Sequence, residues 1–140
     1  MIVLDTDHIG FLQLRSSTEA MRLSVRLDAS GEPVSVTIIS AEEEMRGWLA
    51  RIASERNPLD QIGPYLKLQS LFGFYSRWQV LPWTEAAAEE FSRIRGARIR
   101  IATMDLKIAC IAITNDALLL TRNTVDFEKV PGLKFEDWLT

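Results

Sequence analysis

Acidic residues dominate the positions where this chain could do chemistry. Asp5 directly follows the apolar run Ile2-Val3-Leu4, Glu42-Glu43-Glu44 form an unbroken run, and Asp105 interrupts the apolar stretch Met104 to Ile113. Asp126 comes shortly after a further apolar run, Leu118-Leu119-Leu120. Carboxylates drawn together repel, so such a cluster must either retain a proton or bind a cation. Ligation by oxygen alone suits Mg²⁺ or Mn²⁺. Such an ion activates water and stabilises charge on a phosphodiester under attack, with no need of histidine or a covalent nucleophile. His8 is the only histidine, which argues against His-rich zinc sites and His-dependent triads. It is expected to face solvent or to cap the next helix.

Strands alternating with helices must position these acids. Ile2 to Leu4 reads as a short buried strand ending at Asp5, with helices over Ile9 to Leu14 and Thr18 to Leu27. Ser30-Gly31-Glu32-Pro33 is a turn, and the β-branched run Val34 to Ile39 a second strand. Ser40 then opens a helix on the apolar period Ala41, Met45, Trp48, Leu49 and Ile52. Asn57-Pro58 caps a helix running towards Tyr75. Gln79 to Leu81 forms a third strand, and Thr84 opens a helix that Gly96 ends. Met104 to Ile113 is apolar almost all round and forms a buried helix. Leu118 to Thr121 and Leu133 to Phe135 complete the strands. The alternation implies an α/β layer fold with a largely parallel sheet, in which ligands bind beyond the carboxyl ends of the strands. Asp5, the glutamate run and Asp126 all follow strands and fall at that edge. Asp105 opens its helix, where helix-dipole stabilisation is the purely structural alternative. It shares a face with Ala109 and Ala112. Ser40 and Glu43 fit a capping box, and Gly47, on the face of Glu43, leaves room for a close approach. Periodicity does not choose among the three glutamates.

At 140 residues the chain has the length of one domain, expected to span 1–140, and its 47% hydrophobic and 25% charged residues are globular proportions. A lone cysteine, Cys110, excludes a disulfide framework. No apolar run reaches the length of a bilayer span, and the N-terminus lacks the basic start of a secretory leader. Cytoplasmic residence without membrane attachment is the expectation. The net charge of −3 does not attract nucleic acid by itself. Basic residues are nevertheless concentrated at Arg93, Arg95, Arg98 and Arg100, suited to phosphate contact. Trp48, Trp78, Trp83 and Trp138 suit either base stacking or packing. Leu71, Phe72, Phe74 and Tyr75 suit either a partner surface or the core.

The motifs together resemble the PIN-domain nucleases, specifically VapC-like toxins of type II toxin–antitoxin pairs. Val3-Leu4-Asp5-Thr6-Asp7-His8 is similar to the family's opening motif. Ile39 to Gly47 is similar to its glutamate four residues before a glycine, which selects Glu43. Thr103 to Ala109 resembles the segment of the third acid, and Leu120 to Phe127 with Val130-Pro131-Gly132-Leu133 the closing motif. The resemblance implies a three-layer α/β/α fold around a central, mostly parallel sheet, and divalent-metal-dependent hydrolysis of RNA by water. Asp5, Glu43 and Asp105 would be metal ligands for Mg²⁺ or Mn²⁺, with Asp126 a fourth catalytic acid. Thr121 and Asn123 would hydrogen-bond these carboxylates, and Arg98, Arg100 and Arg122 would contact RNA. It further implies a cognate antitoxin as partner, and a homodimer. Ala102 departs from the family, where glycine is frequent before the third acid.

Two other readings compete. Asp5-Thr6-Asp7 is also similar to the start of haloacid-dehalogenase-type phosphatases, with Asp5 as nucleophile and Asp7 as general acid. No later G-D-x-x-x-D motif supports it. The other is a catalytically inactive binding or regulatory domain.

Overall fold

The computed structural model describes residues 1–14 and 17–139. Its strands are β1 (Ile2–Leu4), β2 (Val34–Thr37), β3 (Gln79–Leu81), β4 (Leu118–Leu120) and β5 (Lys134–Glu136). They form one sheet in the order β3-β2-β1-β4-β5, and every neighbouring pair is parallel. Alternate residues of a strand face opposite sides, so each strand feeds two apolar layers. Val3 and Leu119 join Ile94, Leu106, Ile111 and Phe127 on one side. Ile2, Leu4, Val36 and Leu120 join Ile9, Leu23, Leu71 and Tyr75 on the other.

The helices are α1 (Thr6–Leu14), α2 (Thr18–Ser30), α3 (Ile38–Ser54), α4 (Ile62–Ser76), α5 (Glu85–Gly96), α6 (Thr103–Thr114) and the short α7 (Thr124–Phe127). α6 is buried nearly all round, from Leu106 to Ala112, which explains its unbroken apolar sequence. α3 contributes Ile39 to one layer and Ala41 to the other. The result is the parallel central sheet that the alternation implied, in the three-layer α/β/α arrangement that the resemblance implied.

Several boundaries move, and each shift bears on the site. α1 starts at Thr6, not Ile9, because Asp5 occupies the helix entry: its carbonyl accepts from Ile9 N–H at 3.0 Å and its Oδ1 from Thr6 N–H at 2.8 Å. The second strand stops at Thr37, whose side chain accepts from Ser40 N–H at 3.2 Å and caps α3. Ile38 and Ile39 therefore enter the first turn of α3 despite their β-branched side chains. Ser40 is not the cap and Glu43 has no capping partner, so the capping-box reading fails. Asn57 caps a 3-10 turn, Pro58–Gln61, that precedes α4. The sequence reading had no counterpart of α7.

The cap assignment is open to a direct test. Thr37→Val preserves shape but removes the acceptor, and is expected to destabilise the protein by about 1 kcal/mol in urea unfolding. A silent Thr37→Val would return the cap to Ser40.

Candidate metal centre at the carboxyl edge of the sheet

Because the chain runs from β1 outward through β2 to β3 and then crosses to β4, the strand order reverses between β1 and β4. That reversal leaves a crevice at the carboxyl ends of these two strands. Asp5 lies at the end of β1 and is only 5% exposed. Its N–H donates to Leu120 carbonyl at 2.9 Å. Thr121, at the end of β4, donates from Oγ1 to Asp5 Oδ2 at 2.7 Å, and the same oxygen accepts from Asn123 N–H at 3.0 Å. Asn123 Nδ2 donates to Asp126 Oδ2 at 3.0 Å and, more weakly, to Asp105 Oδ2 at 3.4 Å. Asp105 stands in the first turn of α6, which has no side-chain cap. Ala102 before it has φ −57° and ψ 143°, ordinary values for any L-residue, so the loop does not require glycine there.

The glutamates, inseparable by periodicity, are sorted by their partners. Glu42 turns to Arg46 at 2.6 Å. Glu44 accepts from Tyr75 Oη at 2.5 Å and Gln13 Nε2 at 3.2 Å. Glu43 accepts from Thr6 Oγ1 at 2.9 Å, and that hydroxyl also stands 3.0 Å from Ser40 Oγ. A Cβ built at Gly47 meets nothing within 4 Å, so the expected close approach at that glycine does not occur.

Burial first, then the Asp7 carboxylate, push Asp5 up to about 7, with Asp105 adding to the rise against the bonds from Thr121 and Thr6. Glu43 is raised by burial and by Asp105 and its neighbouring glutamates, against the pull of Thr6. Asp105 is raised by burial, Asp126 and Asp7, opposed by Asn123. Asp126 differs: Asn123 and Lys129 hold it below the usual carboxylate range. Among the described residues, no lysine or arginine forms an ion pair with Asp5, Glu43 or Asp105, whereas Asp126 pairs with Lys129 at 3.2 Å.

Among the described residues, no three His, Cys, Asp or Glu side chains form a closed metal-binding group. The fit to a cation rests instead on the donor set and its charge. Asp5, Glu43 and Asp105 offer only carboxylate oxygens, Asp105 repels each of the other two in part-buried surroundings, and none forms an ion pair with lysine or arginine among the described residues. This is the chemistry of a hard divalent ion site.

His8 was expected to face solvent or to cap the next helix, and the structure corrects both: it lies inside α1 and is fully buried, because the earlier start of α1 turns it inward beside Ile9. Its Nδ1 lies 2.7 Å from Asp7 Oδ1. Asp7 also accepts at Oδ2 from Arg122 N–H at 3.0 Å. Burial acts upward on Asp7, but the bonds from His8 and Arg122 outweigh it and hold the carboxyl below its ordinary range. An ionised Asp7 is unsuited to the general-acid step of the phosphatase reading. Thr6, Asp7 and His8 were missed as supporting residues; the signal available was a run of polar residues immediately after a buried strand.

Arg98 and Arg100 are exposed and line a shallow cleft with Arg95, Ala102 and Asp126. Arg98 holds a left-handed conformation at φ 58°, leading from α5 towards the acid-bearing helix. Arg122 is exposed with its guanidinium carbon 5.8 Å from the Phe11 ring centroid. Trp48, Trp78 and Trp138 pack against the core, while Trp83 lies at the surface with its ring edge on Phe91. Leu71 and Tyr75 are buried, and Phe72 is exposed.

A parallel sheet in this order, with acids along its carboxyl edge, defines an α/β/α domain of the class to which its relatives belong. No protein-family model matches the chain. It is 29% identical over 140 residues to the tRNA(fMet)-specific endonuclease VapC of Salmonella typhimurium, covering 97% of this chain and 96% of that protein. Over 79 residues it is 37% identical to the Shigella flexneri protein of the same description, a stretch covering 54% of this chain and 60% of the relative. In structure it is similar to DNA-bound VapBC from Salmonella typhimurium, with a TM-score of 0.76, 26% identity, and 98% and 97% of the two chains covered. The resemblance to VapC-like PIN-domain proteins thus holds in sequence and in fold.

The raised Asp5 sets a pH dependence. Between the unfolded value near 3.8 and the folded value of about 7, the native state holds a proton that the unfolded chain releases. Stability conferred by the protonated form is therefore lost as pH rises through this window. Asp5→Asn, which mimics the protonated carboxyl, is expected to raise the melting temperature at about pH 8 and to leave it nearly unchanged at about pH 4. Melting curves across this range check it, and an Asp5→Asn gain independent of pH would contradict it.

Proposed function

We propose that the chain is a divalent-metal-dependent endoribonuclease, the toxin of a toxin–antitoxin pair, acting in the cytoplasm as one catalytic domain over residues 1–140. What supports this reading is a set of three carboxylates, Asp5 buried at the end of β1, Glu43 held by Thr6 and Asp105 in the first turn of α6, which form no ion pair with lysine or arginine among the described residues. These residues would hold Mg²⁺ or Mn²⁺, which supplies water of lowered pKa and positive charge at the scissile phosphate. The chain's own donors set the geometry of the site. Thr121 and the Thr6 N–H grip the two oxygens of Asp5, the Thr6 hydroxyl orients Glu43, and Asn123 bridges Asp105 and Asp126. Asp126, already neutralised by Lys129, supports Asp105 through that bridge rather than by ligation.

Arg98, Arg100 and Arg122 position the RNA backbone through its phosphates. Because the chain is acidic overall, this local basic strip has to supply the attraction. The names of the relatives make transfer RNA the first substrate class to test, and the VapBC complex makes an antitoxin the partner. Exposed Leu59, Ile62, Tyr65, Leu66 and Phe72 along the 3-10 turn and α4 supply apolar surface for a partner chain, either the antitoxin or a second copy in a homodimer.

Purified, antitoxin-free protein is expected to cleave RNA with Mg²⁺ or Mn²⁺ and to stop when a chelator is added. Thr121→Val should lower cleavage by roughly 10–100-fold, and Asp5→Asn or Asp105→Asn by more. The Arg98→Ala and Arg100→Ala double variant should weaken RNA binding. The slope of log affinity against log salt should also flatten, by about 0.7 for each phosphate no longer neutralised. Intact RNA in all metals with folded wild-type protein would overturn the proposal.

A further inference from the structure

His8 connects the acid site to the far end of the chain. Trp138 backbone N–H points at His8 Nε2 at 3.3 Å. A ring nitrogen facing an N–H donor must accept, so Nε2 carries no proton. The proton of the neutral ring then sits on Nδ1, where it donates to Asp7 Oδ1 at 2.7 Å. The other oxygen of Asp7 receives Arg122 N–H, fixing the backbone directly after Thr121, and Thr121 in turn grips Asp5. The Asp137 carboxylate, 3.8 Å from Nε2, is engaged by Leu139 N–H at 2.8 Å.

The segment that supplies the Trp138 donor is itself well held. Glu136 carbonyl accepts from Thr121 N–H at 2.9 Å, and the Glu136 carboxylate accepts from Trp138 Nε1 at 2.7 Å. Arg26 lies over the Trp138 ring at 4.1 Å, and Leu139 packs against the core.

We propose that residues 137–139 form a latch that, through the Nδ1-protonated tautomer of His8, aligns Asp7 and the Thr121–Arg122 backbone and so holds Asp5 in register for the reaction. His8 and Asp7 are positioning residues. The catalytic half of this statement rests on the ribonuclease reading above; the tautomer half does not.

With a single histidine in the chain, nitrogen-15 spectra of the metal-free protein, recorded as pH is raised until the ring signals no longer move, read the tautomer of the neutral ring directly. Nδ1-protonated His8 is expected in the wild type. Trp138→Ala, which keeps the backbone donor, should retain that tautomer, and Trp138→Pro, which deletes the donor, should lose it. In RNA cleavage, His8→Leu should lower kcat by about 10–100-fold with KM little changed. His8→Asn, whose side-chain N–H can replace the Nδ1 donor, should restore most of that loss. If His8→Leu does not fold, the two Trp138 variants provide the same comparison in kcat. An Nε2-protonated ring in the wild type, equal effects of the two Trp138 variants, or no rescue by asparagine would overturn the latch. A wild type without nuclease activity defeats the ribonuclease reading and the catalytic half of the proposal, while the spectra still decide the tautomer.

Discussion

Mutual repulsion among carboxylates at the β1–β4 crevice is the constraint to which the surrounding structure answers. Asp5 is buried at a strand end beside Asp7, with Asp105 facing it from α6 and Glu43 approaching through Thr6. A cluster of this kind is unfavourable to ionise in part-buried surroundings. The hydrogen bonds from Thr6, Thr121 and Asn123 offset part of that cost and fix the direction of each carboxylate. They do not remove the upward shifts at Asp5, Glu43 and Asp105. Rigid elements hold the arrangement: Val3, Leu4, Leu119 and Leu120, the residues leading into the crevice, are fully buried.

The placing of positive charge follows the same division. Glu42 has Arg46, and Asp126 has Lys129. Each of these acids is satisfied within its own element or the next turn. Among the described residues, Asp5, Glu43 and Asp105 have no such cationic partner. Basic residues are not absent from the neighbourhood, since Arg98 and Arg100 lie along the cleft that Asp126 also lines. Among the described residues they form no ion pair with Asp5, Glu43 or Asp105, as the proposed phosphate contact requires.

The fold was legible because its signals are local. Short apolar runs bounded by turns marked all five strands, and the continuous apolar stretch around Cys110 marked the buried helix. Element order placed Asp5 at the carboxyl edge; for Asp105, which follows no strand, it gave only the start of a helix. Other features depend on contacts between residues far apart in the chain. The bond from Thr6 to Glu43 singles out one glutamate, and no helical wheel contains it. The cap at Thr37 competes with a run of β-branched residues that reads as strand. The bond from Trp138 N–H to His8 Nε2 joins residues at opposite ends of the sequence. Asp126 was legible as an acid near the edge, but its pairing with Lys129, which sets it apart from the other three, follows from the turn of α7.

Burial first, and then the neighbouring Asp7, raise Asp5 to about 7, so a cation bound there at pH 7 has a proton to displace. Calorimetric titration of Mn²⁺ into the apo protein at pH 7, repeated in buffers of different ionisation enthalpy, counts the protons released per ion bound. Release of a substantial fraction of one proton at pH 7, falling away as pH rises well above 7, is the predicted result. Absence of binding, or binding with no proton release at pH 7, would contradict a cation site built on Asp5.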